Sequence, residues 1–397
     1  MPAPIERRAV ARIEAAFRVN PIVGLLGPRQ SGKSTLARLF GESVHKGSVW
    51  YFDLEDPKTL ARLEEPDLAL GELDGLIVID EIQKRPRLFE YLRVLVDRKQ
   101  RKLRVLVLGS ASRDLIRQSS ESLAGRISYV ELPPFGADEV APLERLHIRG
   151  GFPLSFLATS EAKSYAWREA YIATFLERDL FDFGYRVAPA TIRRFWMMLA
   201  HYHGQVLNFS ELARSFGVSD MTARKYVEIL AETFMIRVLS PWHENLSKRQ
   251  VKAPKLYFRD SGVLHALLGI EDRRALITHP KLGASWEGFA LEQVLRMKGH
   301  RAEECYFWST HNQSDLDLLV FEHGRRIGYE FKFRDVPRVT PSMRIVVDDL
   351  RLDHLFVVTP KAQPYPIAEK ISARGLPDLV EESRRLRSPL PRRRRLR

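Results

Sequence analysis

The first 135 residues contain short apolar runs separated by segments with helical spacing of apolar and polar positions. Apolar runs cover residues 22–26, 49–52, 76–79 and 105–108, each long enough for one strand. Uninterrupted apolar runs of this length are typical of parallel strands that are covered on both faces. The pattern predicts an α/β domain that ends near the segment 132–136, Leu-Pro-Pro-Phe-Gly.

A phosphate-binding loop lies between the first apolar run and the helix-like segment that follows it. Residues 27–34 read Gly-Pro-Arg-Gln-Ser-Gly-Lys-Ser, a pattern whose backbone N–H groups surround phosphates at a helix N-terminus. Lys33 is expected to reach the β- and γ-phosphates, and Ser34 to ligate Mg²⁺. We therefore predict ATP and Mg²⁺ as cofactors, held by Gly27, Pro28, Arg29, Gln30, Ser31, Gly32, Lys33, Ser34, Thr35 and Asp80.

Two carboxylates follow the apolar run 76–79. Asp80 is expected to hold the Mg²⁺ shell, and Glu81 to polarise the water that attacks the γ-phosphate. Ser110, directly after the next strand, could orient the same water, or it is only a turn or N-cap serine. Asp53 ends the run 49–53 and could equally cap the segment after it. The pattern indicates ATP hydrolysis rather than nucleotide binding alone.

Composition restricts the class of protein. A chain of 397 residues is too long for one core and suggests two to four domains. No apolar stretch approaches the ~20 residues that span a bilayer, and the N-terminus lacks an apolar signal segment. Cys305 is the only cysteine, which excludes an internal disulfide and a cysteine-based zinc site. We expect a cytoplasmic protein without a membrane partner.

The net charge of +13 is concentrated in two places. Residues 384–397 carry eight arginines and no acid, whereas residues 191–260 carry eleven Lys/Arg against six Asp/Glu. An arginine-rich tail is usually a solvated, disordered arm, although it can bind polyanions without specificity. The internal segment is therefore the one whose charge needs a structural explanation.

That internal basic segment has the pattern of a winged helix-turn-helix. A helix at 191–202, a short helix at 210–216, a turn at Gly217 and a second helix capped by Ser219 precede strands at 236–242 and 255–258. The second helix would contact DNA, and the loop between the strands would act as a wing on phosphates. The alternative is a structural or protein-binding module. The candidate DNA-binding residues are Thr222, Arg224, Lys225, Lys248, Arg249 and Lys252.

A different constellation occurs between residues 285 and 333. Glu287 lies on a helix-like segment, Asp317 on a predicted strand, and Glu330 and Lys332 on the next strand. Their carboxylates could converge on Mg²⁺ or Mn²⁺, with Asp317 and Glu330 as ligands and the lysine beside the reacting group. The alternatives are a solvated strand face, on which Glu-x-Lys is common, and a salt-bridge network.

The chain resembles bacterial and archaeal ATP-binding proteins of the AAA type, whose C-terminal region is a domain of unknown function. The resemblance covers nearly the whole chain. It depends on the phosphate-binding loop and on six further motifs, which are Ile-Asp-Glu-Ile-Gln (79–83), Gly-Ser-Ala-Ser (109–112), Ser-Leu-Ala-Gly-Arg (122–126), Gly-Gly-Phe-Pro (150–153), Glu-Arg-Asp-Leu (177–180) and Lys-Ala-Pro-Lys-Leu-Tyr-Phe-Arg-Asp-Ser-Gly (252–262).

The resemblance implies an AAA-like ATPase core, a winged helix, and a C-terminal fold similar to the PD-(D/E)XK nucleases. It makes Arg126 a candidate arginine finger in a homo-oligomer with shared sites, and Asp317, Glu330 and Lys332 the nuclease-like core. One departure is Asp315-Leu-Asp317, because the first acidic position is usually glutamate followed by valine. Aspartate and glutamate carry the same charge, so this departure does not much weaken the resemblance.

The predicted organisation is α/β throughout, with one long lid helix at 161–183 and a closing helix or turn at 369–373. It comprises a P-loop AAA-like ATPase domain (1–135), a helical lid or linker (136–190), a winged helix-turn-helix (191–275), a restriction-endonuclease-like, PD-(D/E)XK nuclease-like α/β domain (276–382) and an arginine-rich disordered tail (383–397). The predicted function is that of an ATP-hydrolysing protein acting on DNA. The alternatives are a signalling or defence switch with non-catalytic interaction modules, and a nuclease gated by ATP.

Overall fold

The computed structural model describes residues 5–43, 45, 47–98, 103–110, 121–246, 248–311, 314–361 and 363–387, with the main chain only at Ser43, Ser110, Ala302 and Arg387. The described residues form two compact units. The first comprises residues up to 135 together with 232–235, and the second comprises 136–231 and the residues from 236 onward. The Ser110 side chain and residues 388–397 of the arginine-rich tail thus lie outside the described part of the chain.

The first unit is built on a parallel five-stranded sheet with the strand order β2-β3-β4-β1-β5. Its strands are β1 (Ile22–Gly27), β2 (Val49–Asp53), β3 (Gly75–Asp80), β4 (Leu103–Ser110) and β5 (Ile127–Glu131). Its described helices are α1 (Ala9–Phe17), α2 (Lys33–Ser43), α3 (Pro57–Arg62), α4 (Pro66–Leu70) and α5 (Leu88–Asp97), with a 3₁₀ turn at Ile82–Lys84.

Two apolar clusters cover the two faces of this sheet. On one face, Ile77 and Ile79 of β3 pack with Phe89 and Leu92 of α5. On the other face, Val78 packs with residues of α1 and α2 such as Phe40. Every residue of β1 is buried, which explains its continuous apolar run. The predicted strands are confirmed, and β1, β3 and β4 end at the same edge of the sheet because they are parallel.

The second unit begins with helices. These are α6 (Leu143–Arg149), α7 (Pro153–Phe156), α8 (Glu161–Thr174), α9 (Leu180–Asp182), α10 (Pro189–His201), α11 (Phe209–Phe216), α12 (Asp220–Glu232), α13 (Ser261–Leu267), α14 (Arg273–Thr278), α15 (Leu282–Lys298), α16 (Pro341–Asp349) and α17 (Leu376–Arg387). The long helix expected from residue 161 is present, although a π-helical stretch at Phe175–Asp179 interrupts its α-helical hydrogen bonding.

The sheet of the second unit has nine strands in the order β13-β14-β12-β11-β10-β9-β7-β8-β6. The strands are β6 (Gln205–Val206), β7 (Ile236–Pro241), β8 (Lys255–Phe258), β9 (Cys305–Ser309), β10 (Asp315–Glu322), β11 (Arg325–Phe331), β12 (His354–Thr359), β13 (Tyr365–Ala368) and β14 (Ile371–Gly375). Parallel pairing of β7 with β9 joins the strands predicted for a winged helix to the C-terminal strands.

Most C-terminal elements form where the sequence predicts them, with one exception. The segment 369–373 is expected to be a closing helix or turn; residues 369 and 370 do form a turn, but the prediction is wrong for residues 371–373. Residues from Ile371 form strand β14, which pairs in parallel with β12 and places Ile371 opposite Leu355. Ile371 and Ala373 are buried, so alternate side chains face the core and favour a strand.

Candidate functional site

The phosphate-binding loop connects strand β1, which lies between β4 and β5, to helix α2. Gln30 and Gly32 take positive φ angles of 61° and 96°, which turns the loop around its own backbone. A Cβ at Gly27 would lie 2.3 Å from the carbonyl oxygen of Leu132. Only glycine fits at this position, and glycine relieves the backbone strain at residue 32.

Lys33 lies over this loop. Its buried ammonium donates hydrogen bonds to the carbonyl oxygens of Gly27 (3.0 Å) and Pro28 (2.9 Å). The Ser31 hydroxyl is buried and has no hydrogen-bond partner among the described residues. A curled loop with a buried lysine and an unsatisfied hydroxyl fits a phosphate group, so the residues present agree with a bound nucleotide.

The two carboxylates after β3 have separate environments. Asp80 is buried and accepts a hydrogen bond from the Glu81 N–H at 3.0 Å. Glu81 has a left-handed backbone with φ 54°, a strained conformation that is common at functional sites. Burial raises the pKa of Glu81, against the opposing effect of Lys33 and Arg29. The Gln83 amide donates a hydrogen bond to the Glu81 carboxylate, a contact that the motif spacing did not predict.

Arg126 lies at the opposite edge of the sheet from this loop. It precedes β5, and its carbonyl oxygen accepts a hydrogen bond from Ile22 N–H at the start of β1 (3.1 Å). The guanidinium makes two 2.8 Å hydrogen bonds to the Asp97 carboxylate. Arg126 is therefore not placed to contact a nucleotide in its own loop. The role of Arg126 in a neighbouring subunit stays a prediction.

In the second unit, three predicted residues come together. Asp317 on β10 accepts a hydrogen bond from the Phe331 N–H (3.0 Å), which brings it beside β11. Lys332 pairs with Glu330 at 2.6 Å. Asp317 and Glu330 are buried, at 2% and 5% exposure. The predicted convergence of these side chains at one place is thus present.

Two residues of strand β8 also reach this site. The Lys255 ammonium lies 3.4 Å from the Asp317 carboxylate and 3.9 Å from the Glu287 carboxylate. The Tyr257 hydroxyl donates a hydrogen bond to Glu287 at 2.6 Å. Sequence reasoning assigned no role to either residue, although both belong to the motif 252–262. We call the set Glu287, Asp317, Glu330, Lys255 and Lys332 the acidic site.

Burial controls the protonation of the acidic site. It raises the pKa of Glu287 to about 7 and that of Glu330 to about 8, and in both cases the Asp317 charge adds to the effect. The pKa of Lys255 is raised because the attraction of Asp317 and Glu287 outweighs its burial. Hard carboxylate oxygens suit Mg²⁺ or Mn²⁺. Within the part of the chain that the structure describes, however, no three His, Cys, Asp or Glu side chains are arranged to hold a metal ion.

The predicted DNA-binding residues have unequal surroundings. Ser219 caps α12 by accepting a hydrogen bond from the Thr222 N–H at 3.1 Å. Arg224 and Lys225 are exposed on the same helix, and the Arg224 guanidinium lies 4.0 Å from the centre of the Phe209 ring. These cations face solvent on α12, as the helix-turn-helix pattern predicts.

The predicted wing does not project freely. Lys248 forms an ion pair with Asp349 at 2.6 Å, and the carbonyl oxygen of Arg249 accepts a hydrogen bond from His311 N–H (3.1 Å). Gln250 forms a β-bridge with Thr310. Arg249 and Lys252 keep exposed side chains. The segment therefore lies along β9, and Lys248 already neutralises an acid of the same unit.

Two of the family-like motifs form a structural junction. The Asp260 carboxylate accepts hydrogen bonds from the N–H groups of Gly151 (2.7 Å) and Val263 (3.0 Å). A Cβ at Gly262 would lie 2.1 Å from the Arg149 carbonyl oxygen. The motifs 150–153 and 252–262 therefore contact each other directly, and their glycines permit this close approach.

A buried carboxylate with three arginine partners stabilises the second unit. Glu292 on α15 is surrounded by three guanidinium groups, those of Arg237, Arg259 and Arg296. Although burial alone would raise it, these charges lower the pKa of Glu292 to about 2. The cluster holds α15, which carries Glu287, against strand β7.

Among the described residues, no helix is both long enough and apolar enough to cross a membrane.

Three family models match successive parts of the chain. An AAA domain matches residues 19–141, the domain of unknown function DUF8612 matches 141–274, and the domain of unknown function DUF4143 matches 282–379. The AAA match covers the loop, Asp80 and Glu81. The first unit is therefore an AAA-type ATPase domain, which binds and hydrolyses ATP.

Two solved structures have limited similarity to this chain. The Walker-type ATPase PABY2304 of Pyrococcus abyssi is 16% identical, with 67% of this chain and 96% of that chain covered and a TM-score of 0.46. The R170A form of RuvB from Thermotoga maritima is 17% identical, with 59% and 88% covered and a TM-score of 0.31. The assignment of the first unit rests on the AAA match and on the loop geometry.

Sequence relatives align along most of the chain. The uncharacterized proteins Rv2008c of Mycobacterium tuberculosis (strain ATCC 25618 / H37Rv) and Mb2031c of Mycobacterium bovis (strain ATCC BAA-935 / AF2122/97) are each 49% identical over 372 residues. The alignment covers 93% of this chain and 83% of each relative. This chain, in which an AAA domain precedes two domains of unknown function, belongs to the family of these mycobacterial proteins.

Proposed function

We propose that this protein is a Mg²⁺-dependent ATPase that acts on DNA through its second unit. The observation that carries the proposal is the pairing of a complete nucleotide site in the first unit with exposed cations on α12 in the second. Lys33 is placed over the loop, and Arg224 and Lys225 face solvent. Coupling between the two would let nucleotide state change DNA affinity.

In the nucleotide site, Ser34 and Asp80 would hold Mg²⁺, which draws charge from the phosphate oxygens when bound. Lys33 would bind the β- and γ-phosphates, and Glu81 would accept a proton from the attacking water. The raised pKa of Glu81 supports a role as base, because it brings the carboxylate nearer to the pH at which it must take up a proton. Gln83 would hold that carboxylate in place.

The proposal includes a homo-oligomer in which Arg126 reaches a neighbouring subunit. Arg126 is at the edge of the sheet where the strands begin, away from its own loop, which is where a finger acting in trans would have to lie. In the single chain it pairs with Asp97. Assembly would exchange this carboxylate for the γ-phosphate of the adjacent subunit.

We expect Arg224→Ala with Lys225→Ala to weaken DNA binding and to reduce the salt dependence by about two units of slope, because two phosphate contacts are lost. Lys248→Ala is the matched control, since Lys248 already pairs with Asp349, and should change the slope less. Fluorescence anisotropy of labelled duplex at several KCl concentrations measures both. An unchanged slope in the α12 variant would show that this helix is structural.

The acidic site would cleave phosphodiesters if it held a divalent metal between Asp317 and Glu330, as the nuclease-like resemblance implies. We expect Asp317→Ala to abolish cleavage in Mg²⁺ or Mn²⁺, because the carboxylate is lost while its neighbours remain. The measurement is cleavage of single-stranded, duplex and branched DNA by wild type and variant, with and without ATP. Cleavage that survives the Asp317 change would place the activity elsewhere.

A second candidate function is supported by Lys255. An ammonium within 4 Å of both Asp317 and Glu287 favours a non-catalytic acidic site in an ATP-dependent signalling or defence switch. In that case the second unit is an interaction module. ATPase stimulation by DNA separates the candidates, because the switch predicts the same ATPase rate with and without DNA.

A further inference from the structure

Lys255 is a buried cation between carboxylates from two elements. Its ammonium lies 3.4 Å from Asp317 on β10 and 3.9 Å from Glu287 on α15. Its side chain is 9% exposed, and a buried ammonium is stable only with charged partners. The centre of the Phe307 ring lies 5.4 Å from the same ammonium. Lys255 therefore occupies the space between these acids.

The two carboxylates are oriented by other donors. The Phe331 N–H occupies the Asp317 Oδ2 atom (3.0 Å), while Lys255 approaches Oδ1. The Tyr257 hydroxyl holds Glu287 Oε1 at 2.6 Å, the same oxygen that Lys255 approaches. Lys255 therefore approaches one oxygen of each of the two acids whose charges a divalent cation would need.

We propose that Lys255 is the resident cation of the acidic site and competes with a divalent metal for Asp317 and Glu287. The inference concerns the acidic site of the proposed function. Two cations held by the same oxygens repel each other strongly in a poorly hydrated site. Lys255 must leave, or be removed, before Mn²⁺ binds there tightly.

The test is Mn²⁺ binding by isothermal titration calorimetry on the full chain without nucleotide. All proteins carry Asp80→Asn, which removes a candidate metal ligand of the ATP site. Lys255→Met should bind Mn²⁺ about tenfold to a hundredfold more tightly than the parent, a range typical of coupling between two sites. Lys255→Arg keeps the charge and should bind like the parent. Lys163→Met, an exposed lysine on α8, is the matched control and should also bind like the parent.

Adding Asp317→Asn to Lys255→Met should remove the gain, because the freed ligand is lost. The inference is wrong if Lys255→Met binds Mn²⁺ no more tightly than the parent, or if the gain survives the Asp317 change. If Lys255→Met is unfolded without metal, restoration of its circular dichroism by Mn²⁺ supports the inference, since one cation then replaces another. Failure of Mn²⁺ to restore it overturns the inference.

The cleavage assay tests the proposed nuclease function separately from this inference. If the wild type cleaves no nucleic acid while Lys255→Met gains Mn²⁺ affinity, the nuclease function is wrong and this inference stands. If the wild type cleaves DNA with Mn²⁺ while Lys255→Met gains no Mn²⁺ affinity, the nuclease function stands and this inference is wrong.

Discussion

Lys33→Ala will abolish ATP binding, and Glu81→Gln will keep binding while lowering turnover by about 10²–10⁴-fold, the usual contribution of a general base. Lys33 is buried over the loop and is expected to meet the phosphates, so its loss removes both charge and contact. The glutamine at position 81 is nearly isosteric and cannot accept the proton. Binding is measured with a fluorescent ATP analogue, and turnover as phosphate release in Mg²⁺.

The control for this pair is Lys84→Ala. Lys84 is an exposed lysine on the neighbouring turn, 4.0 Å from Glu55, and its loss should leave both measurements unchanged. Equal ATP binding by Lys33→Ala and wild type would contradict the assignment.

Mixing Lys33→Ala with Arg126→Ala protein should restore part of the turnover, because a mixed oligomer contains some sites with both residues intact. Without restoration in a demonstrated mixed oligomer, Arg126 does not act in trans.

Glu292→Gln will destabilise the second unit by about 3–5 kcal/mol, the cost of removing one partner from a buried charge cluster. The Glu292 side chain is 2% exposed, and three arginines lie around it. Those guanidinium groups would lose their shared carboxylate without gaining access to water. Urea unfolding followed by circular dichroism measures the change.

The matched control is Glu382→Gln, which removes an exposed partner of Arg374. We expect its cost to be about 1 kcal/mol or less, because exposed ion pairs contribute little. A cost for Glu292→Gln no larger than that of the control would show that the cluster does not hold α15.

The pH dependence of stability should also differ between wild type and Glu292→Gln. The pKa of Glu292 in the folded chain is about 2, below its ordinary 4.5. Its stabilising contribution is therefore complete above pH 4.5 and is lost as the pH falls toward 2. Glu292→Gln lacks this carboxyl, so its stability should fall less steeply across that range than that of wild type. Parallel curves would contradict the assigned charge.

The candidate residues of the ATP site could be predicted from the sequence because they belong to local motifs. The loop 27–34 sits between a strand and a helix, and Asp80 and Glu81 directly end a buried strand. Such runs form the same elements in most surroundings, since periodicity and motif act over a few residues. The same reasoning failed at 371–373, where the alternation of a strand covers too few residues to be distinguished from a turn.

The sequence by itself therefore determined an α/β AAA-type ATPase domain with its phosphate-binding loop, and it predicted the residues of a nucleotide site. The tertiary structure decided which distant charges meet. Lys255 contacts Asp317, 62 residues further along the chain, only because β8 and β10 belong to one sheet. Tertiary packing likewise brings Arg126 to Asp97 at the end of helix α5, and Lys248 to Asp349 at the end of helix α16. Side chains far apart in sequence are brought together by strand order and register, which no local pattern of residues specifies.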